Sequence, residues 1–153
     1  MGGGHNWEAT AYSPLTGLYY FGSTDGCQNY YRNDAEFLEG AWYQLSGTKD
    51  VPRMRSKGSL IAIDPATGQT RWRFEMVRQP SGGMLTTAGG LVFSGDAYGN
   101  LIAFHARSGK VLWRFDTGAT ISAPPISYTF EGKQYVAVAA GGVLIVFGLP
   151  DQP

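Results

Sequence analysis

The chain has 153 residues with 12 basic and 12 acidic side chains, enough for one domain with a real core and without the positive charge that draws in nucleic acid or an anionic membrane surface. No stretch approaches the roughly 20 apolar residues of a membrane span, and a single cysteine, Cys27, rules out an internal disulfide. Twenty-two Gly, nine Tyr, eight Phe and four Trp against 16% charged residues suit tightly turned antiparallel strands rather than a helical bundle.

The first residues, Met1 to His5, are glycine-rich and carry no cationic region followed by an apolar one, so this chain presents no secretory signal of its own. Asn6-Trp7-Glu8 follows, then the turn Ala11-Tyr-Ser-Pro-Leu-Thr-Gly17 and an apolar strand, Leu18 to Phe21. Residues 25–57 are polar and aromatic and too long for a hairpin turn, and they read as a loop inserted on one face of the fold. Cys27, within it, reads as a small buried apolar residue. The basic run Arg53, Arg55 and Lys57 reads as a solvated loop rather than a phosphate site.

From Gly58 the chain repeats itself. Gly58-Ser-Leu-Ile-Ala-Ile-Asp-Pro-Ala-Thr-Gly-Gln-Thr-Arg-Trp-Arg-Phe74 aligns without gaps on Gly99-Asn-Leu-Ile-Ala-Phe-His-Ala-Arg-Ser-Gly-Lys-Val-Leu-Trp-Arg-Phe115, offset by 41 residues, with eight of 17 positions identical. Each copy is a strand, a turn closed by Gly68 or Gly109, and a second strand bearing Trp72 or Trp113. An indole buries much surface and still donates its N–H, so one Trp at that position per repeat acts as a staple between neighbouring units. Short strands at Leu91 to Ser94, Pro124 to Tyr128 and Gln134 to Ala139 complete the pattern. A period of about 41 residues is that of a four-stranded β-propeller blade. The expectation is an all-β fold, a β-propeller fragment spanning 1–153 with about three four-stranded blades. Propellers close with four or more blades, so two open strand edges are expected, which invite self-association.

Other chemical constellations are poor. His5 and His105 have no metal-ligand spacing with Cys27 or each other, and His105, standing where the first copy has Asp64, reads as a turn residue. Ser13, Ser46 and Ser94 lack a nucleophile elbow, and no phosphate-binding or dinucleotide fingerprint is present.

The tryptophan-docking repeats, the Asn6-Trp7 opening with its Tyr-Ser-Pro-Leu-Thr-Gly turn, the stretch Gly82-Gly-Met-Leu-Thr-Thr-Ala-Gly-Gly-Leu-Val-Phe-Ser-Gly-Asp96 and the closing Gly132-Lys-Gln-Tyr-Val-Ala-Val-Ala-Ala-Gly-Gly142 resemble the C-terminal blades of the pyrroloquinoline quinone (PQQ)-dependent alcohol and methanol dehydrogenases. The resemblance covers most of the chain apart from the insert. It implies an eight-bladed parent in the periplasm, in which PQQ sits on the axis beside a Ca or lanthanide ion and takes a hydride from a small alcohol. On that resemblance Asn6 and Trp7 contact the cofactor, the remaining blades are the partners, and the catalytic base and metal ligands belong to sequence upstream. On the residues alone, Asn6 capping a turn and Trp7 sitting in the core is the favoured reading, and the resemblance brings the two level; Glu8 would face the axis or its rim if Asn6 does. Two departures count against a full pocket: Ser81 stands where many members place Trp, and Gly141-Gly-Val-Leu144 lacks a terminal Trp. The alternative function is a non-catalytic propeller that has lost PQQ and serves as a scaffold for protein–protein interaction.

Overall fold

The computed structural model describes residues 4–32, 34, 36–41, 43, 46–51, 57–76 and 80–150. They form antiparallel strands without a helix among the described residues. Strands β1 (Ala11–Ser13), β2 (Leu18–Asp25), β5 (Lys57–Ile63) and β6 (Thr70–Met76) make one four-stranded sheet in that order. Strands β7 (Met84–Thr86), β8 (Leu91–Gly95), β9 (Asn100–His105) and β10 (Val111–Asp116) make a second meander of four. Strands β11 (Ile126–Phe130), β12 (Lys133–Ala140) and β13 (Val143–Gly148) make a third sheet, which has three strands rather than four among the described residues.

Between β2 and β5, where the sequence suggested only a loop, β3 (Gln28–Arg32) and β4 (Ser46–Asp50) pair with each other as a two-stranded ribbon. The ribbon leaves Tyr30, Tyr31, Phe37, Leu38 and Tyr43 exposed. Cys27 lies at its base and is exposed, against the expectation of burial, because the chain there has already left the first sheet. Lys57 begins β5, whereas Arg53 and Arg55 lie outside the described residues.

The repeat seen in the sequence is the third and fourth strands of a sheet. Both copies carry the same irregularity: Ala62 pairs with Trp72 but Ile63 with Thr70, and Ala103 pairs with Trp113 but Phe104 with Val111. One residue bulges out just before each indole, Arg71 in one copy and Leu112 in the other, which bends the strand and aims the ring at the next sheet. Both turns close alike, Gly68 N–H on Asp64 O at 2.8 Å and Gly109 N–H on His105 O at 2.9 Å. The turn Ser13 to Gly17 has the same closure but joins β1 to β2, so it shares turn chemistry without being a third copy. That copy lies elsewhere: Gly142-Val-Leu-Ile-Val-Phe147 falls on Gly99-Asn-Leu-Ile-Ala-Phe104 as the third strand of its sheet.

The core is made between sheets. Leu18, Tyr20, Leu60 and Ala62 of the first sheet meet Met84, Val92, Ile102 and Phe104 of the second, with Trp72, Phe74 and Met76 packed around them. Phe104 is fully buried, a contribution of about 1.5–3 kcal/mol from area alone. Leu101 and Ile121 meet Val138 and Ala140 of the third sheet in the same way. The ring contacts repeat as well: Phe74 and Phe104 are edge to face at 5.0 Å, and so are Phe115 and Phe147.

Candidate functional site

At one end of the sheets the connections are sewn to one another, and the segment bearing Asn6 and Trp7 runs along this end. Gly4 exchanges two backbone hydrogen bonds with Thr24 at the end of β2, at 2.7 and 2.8 Å. The His5 ring lies 5.8 Å from that of Phe21, edge-on, with Nδ1 within 2.9 Å of the Gly22 carbonyl. Ala9 then accepts the N–H of Met84 at 2.9 Å, which ties the segment to the start of β7. Glu8 is buried between these two anchors. Both candidate residues are exposed, Trp7 by 69%, and Trp7 lies outside the cores formed between these sheets. The Asn6 amide bonds none of the described residues, so it caps no turn among them.

Small residues let the backbone close up beside this segment. Gly83 has φ 61°, and a Cβ there would stand 3.1 Å from Ala9. Gly82 and Gly95 approach so closely that a Cβ on either would meet the Ile121 side chain, at 2.9 and 2.3 Å. Ser81, the departure noted in the sequence, donates its hydroxyl to the Ile121 carbonyl at 2.7 Å. Ile121 N–H in turn donates to Asp96 O, Thr120 hydroxyl to Ala97 O, and Gly141 N–H to Thr120 O. Ile121 therefore knots the β8–β9 turn of the second sheet to the third sheet. This role was not legible in the sequence, since an isolated Ile in a Gly-Ala-Thr-Ile-Ser linker carries no periodicity.

Other residues singled out in the sequence have structural work. His105 Nδ1 lies 3.0 Å from Ser108 Oγ within its turn. Asp64 accepts the Ala66 N–H and pairs with Arg71 at 3.1 Å, so its carboxyl is held below the ordinary value, chiefly by the Ala66 N–H. Trp72 donates to the Ala106 carbonyl across the first two sheets. No three His, Cys, Asp or Glu side chains stand together as a metal site among the described residues, which also include no helix long and apolar enough to cross a membrane.

Residues 56–149 match a protein-family profile described as the outer membrane protein assembly factor BamB, PQQ_2. The chain belongs to the PQQ_2 propeller family. The chain is 39% identical over 141 residues to a quinoprotein ethanol dehydrogenase of Pseudomonas aeruginosa, covering 91% of this chain and 22% of that one. The crystal structure of quinohemoprotein alcohol dehydrogenase from Comamonas testosteroni superposes with a TM-score of 0.81 at 34% identity, over 90% of this chain and 22% of that one. A europium-containing methanol dehydrogenase superposes with a TM-score of 0.78 at 32% identity, over 86% of this chain and 24% of that one. The three sheets are thus blades of a quinoprotein dehydrogenase-type propeller, and the chain spans about a fifth of the length of these relatives.

Proposed function

We propose that this chain belongs to a PQQ-dependent alcohol dehydrogenase, in which it lines one side of the quinone pocket with Asn6 and Trp7 and contributes no catalytic base. The observation that carries the reading is an Asn6 amide without a partner among the described residues, next to an exposed Trp7 indole, both held on the sewn end of the sheets. These two groups fit a planar quinone. The cofactor, when bound, supplies the acceptor for the alcohol's hydride. The Asn6 amide donates to a quinone oxygen, a bond that strengthens as that oxygen gains negative charge. The Trp7 ring offers a flat apolar wall. The Ca or lanthanide ion, the base and the remaining blades of an eight-bladed, periplasmic parent come from outside these residues, and a small alcohol is the substrate. The open edge strands are surfaces for self-association when the chain stands alone.

Titration of the purified chain with PQQ and Ca²⁺, or a lanthanide in its place, followed by quinone absorbance and calorimetry, tests this. Saturable binding that Asn6→Ala abolishes supports it. Binding unchanged by Asn6→Ala and by Trp7→Ala removes both residues from the pocket.

A second reading is a propeller without quinone that serves as a protein-binding platform. It draws on the assembly-factor description of the matching family and on Ser81, whose hydroxyl is committed to the Ile121 carbonyl where many quinone-binding relatives would place an aromatic ring.

A further inference from the structure

A cleft of about 230 Å³, open to water, lies between the outer strand of the first sheet and the second sheet. Phe74, Met76 and Ile102 give it apolar walls, and Asp96, Tyr98, Asn100 and Arg114 are its polar groups. Glu75 borders it too, but strand alternation turns that side chain to the face of β6 opposite Phe74 and Met76. That is below the roughly 300 Å³ at which pockets for drug-sized ligands begin, so the cleft has room for a single small ring at most.

The polar groups are built from the inside out. Asp96 is buried and accepts the backbone N–H groups of Tyr98 and Asn100 at 2.9 and 2.8 Å, and the Asn100 side-chain amide at 2.9 Å. That fixes the Asn100 amide, whose oxygen accepts the Nε–H of Arg114 at 2.8 Å. The guanidinium is thus held by one edge, with no carboxylate at ion-pair distance among the described residues.

The first sheet tells what is missing. Its copy of Arg114 is Arg73, and its copy of Asn100 is Ser59. Arg73 donates to Ser59 Oγ at 3.1 Å and also pairs with Asp25 at 3.2 Å. Aligned by strand pairing, Gly22-Ser-Thr-Asp25-Gly26 falls on Gly95-Asp-Ala-Tyr98-Gly99, so Tyr98 stands in the sequence place of the carboxylate that satisfies Arg73. The second sheet keeps the arginine, fixes it more firmly and leaves out its counter-ion.

We propose that the cleft binds a small organic carboxylate with an apolar body, its carboxylate on the free N–H groups of Arg114 and its body against Phe74, Met76 and Ile102. A guanidinium anchored through Nε offers its outer edge as a planar fork that matches a carboxylate. The site is independent of the quinone reading and uses neither Asn6 nor Trp7.

Benzoate is the probe, titrated into the full chain and followed by calorimetry and saturation-transfer NMR, with benzamide as its neutral counterpart. Expected are saturable benzoate binding that weakens with salt, and benzamide binding about tenfold weaker or worse, the loss of one charged hydrogen-bonded pair. Arg114→Met should lose at least the same factor. Tyr98→Asp restores the counter-ion found in the first sheet and should abolish binding with the melting temperature kept, which covers the case in which Arg114→Met does not fold. Asn6→Ala should bind benzoate as the parent does. Absence of saturable binding, equal affinity for benzamide, or full binding by Tyr98→Asp would each overturn the proposal.

Discussion

The indole N–H of Trp72 reaches the carbonyl of Ala106 at 2.8 Å, across the boundary between the first and second sheets. The same oxygen accepts the hydroxyl of Tyr20 at 3.2 Å, so both lone pairs of one buried carbonyl are supplied by the neighbouring sheet. The rings of Tyr20 and Trp72 sit 5.8 Å apart, and Trp72 stacks on Phe104 at 6.2 Å. Trp113, the other copy, touches Phe147 at 5.2 Å, but its N–H has no acceptor among the described residues. Two tryptophans at one repeat position therefore carry different loads. Trp72→Phe keeps most of the apolar area and loses the bond, at a cost of about 2 kcal/mol. Trp113→Phe should cost under about 1 kcal/mol, since area is all it changes. Urea midpoints of the two variants, read by circular dichroism, give the comparison.

A second pair separates backbone strain from contact. Gly68 and Gly109 close equivalent turns with φ of 71° and 68°. A Cβ on Gly68 meets nothing within 4 Å, whereas on Gly109 it would stand 2.6 Å from Cδ2 of Trp72. Gly68→Ala should cost about 1 kcal/mol, the left-handed backbone alone. Gly109→Ala adds the displacement of a docked indole and should cost at least about twice that. Equal melting temperatures for the two variants would show that Trp72 moves aside freely.

This contrast also explains what the sequence made legible. Gly68, Trp72, Gly109 and Trp113 are demanded by local geometry at fixed spacing, so they repeat in the text and betray the blade. The third copy, Gly142 to Phe147, escaped notice because only a six-residue strand carries the match. The ribbon of β3 and β4 escaped because its strands bury little, and without a buried face no period-two apolar pattern is needed. At the candidate site, Asn6 and Trp7 entered through family resemblance, not through any physical requirement of their segment. Ile121 and the Asp96–Asn100–Arg114 chain were invisible because side chain-to-backbone and side chain-to-side chain links leave no periodicity.

Ile121 offers a test of the sewn end. Its side chain lies against Gly95, where a Cβ would come within 2.3 Å of Cγ2. Gly95 and Ile121 are both buried, so Gly95→Ala cannot relieve the clash toward solvent and should destabilise by about 1–3 kcal/mol. Ile121→Ala alone opens a cavity and should cost about 2–5 kcal/mol. The double variant should cost less than the sum by at least about 1 kcal/mol, because the added methyl occupies space the isoleucine vacated. Additive urea midpoints would place the strain of Gly95→Ala in the backbone instead.

Tyr20 makes the fold sensitive to alkali in a direction set by burial. Its ring is fully buried, and desolvation raises the phenol above its ordinary value of about 10, outweighing the Thr16 hydroxyl at 2.6 Å and the charge of Arg107, which both act the other way. The folded chain then holds this proton to higher pH than the unfolded chain does. The stability it contributes is complete below about pH 10 and is lost as pH rises through the raised folded value. Urea midpoints measured from about pH 8 upward should be level and then fall above about pH 10, with tyrosinate absorbance rising in step with unfolding. Tyr20→Phe should start about 1 kcal/mol lower at pH 8, having given up its bonds to Ala106 and Thr16. From there its midpoint should fall less steeply with pH than that of the parent. Parallel curves for the two chains would mean that some other group drives the alkaline loss.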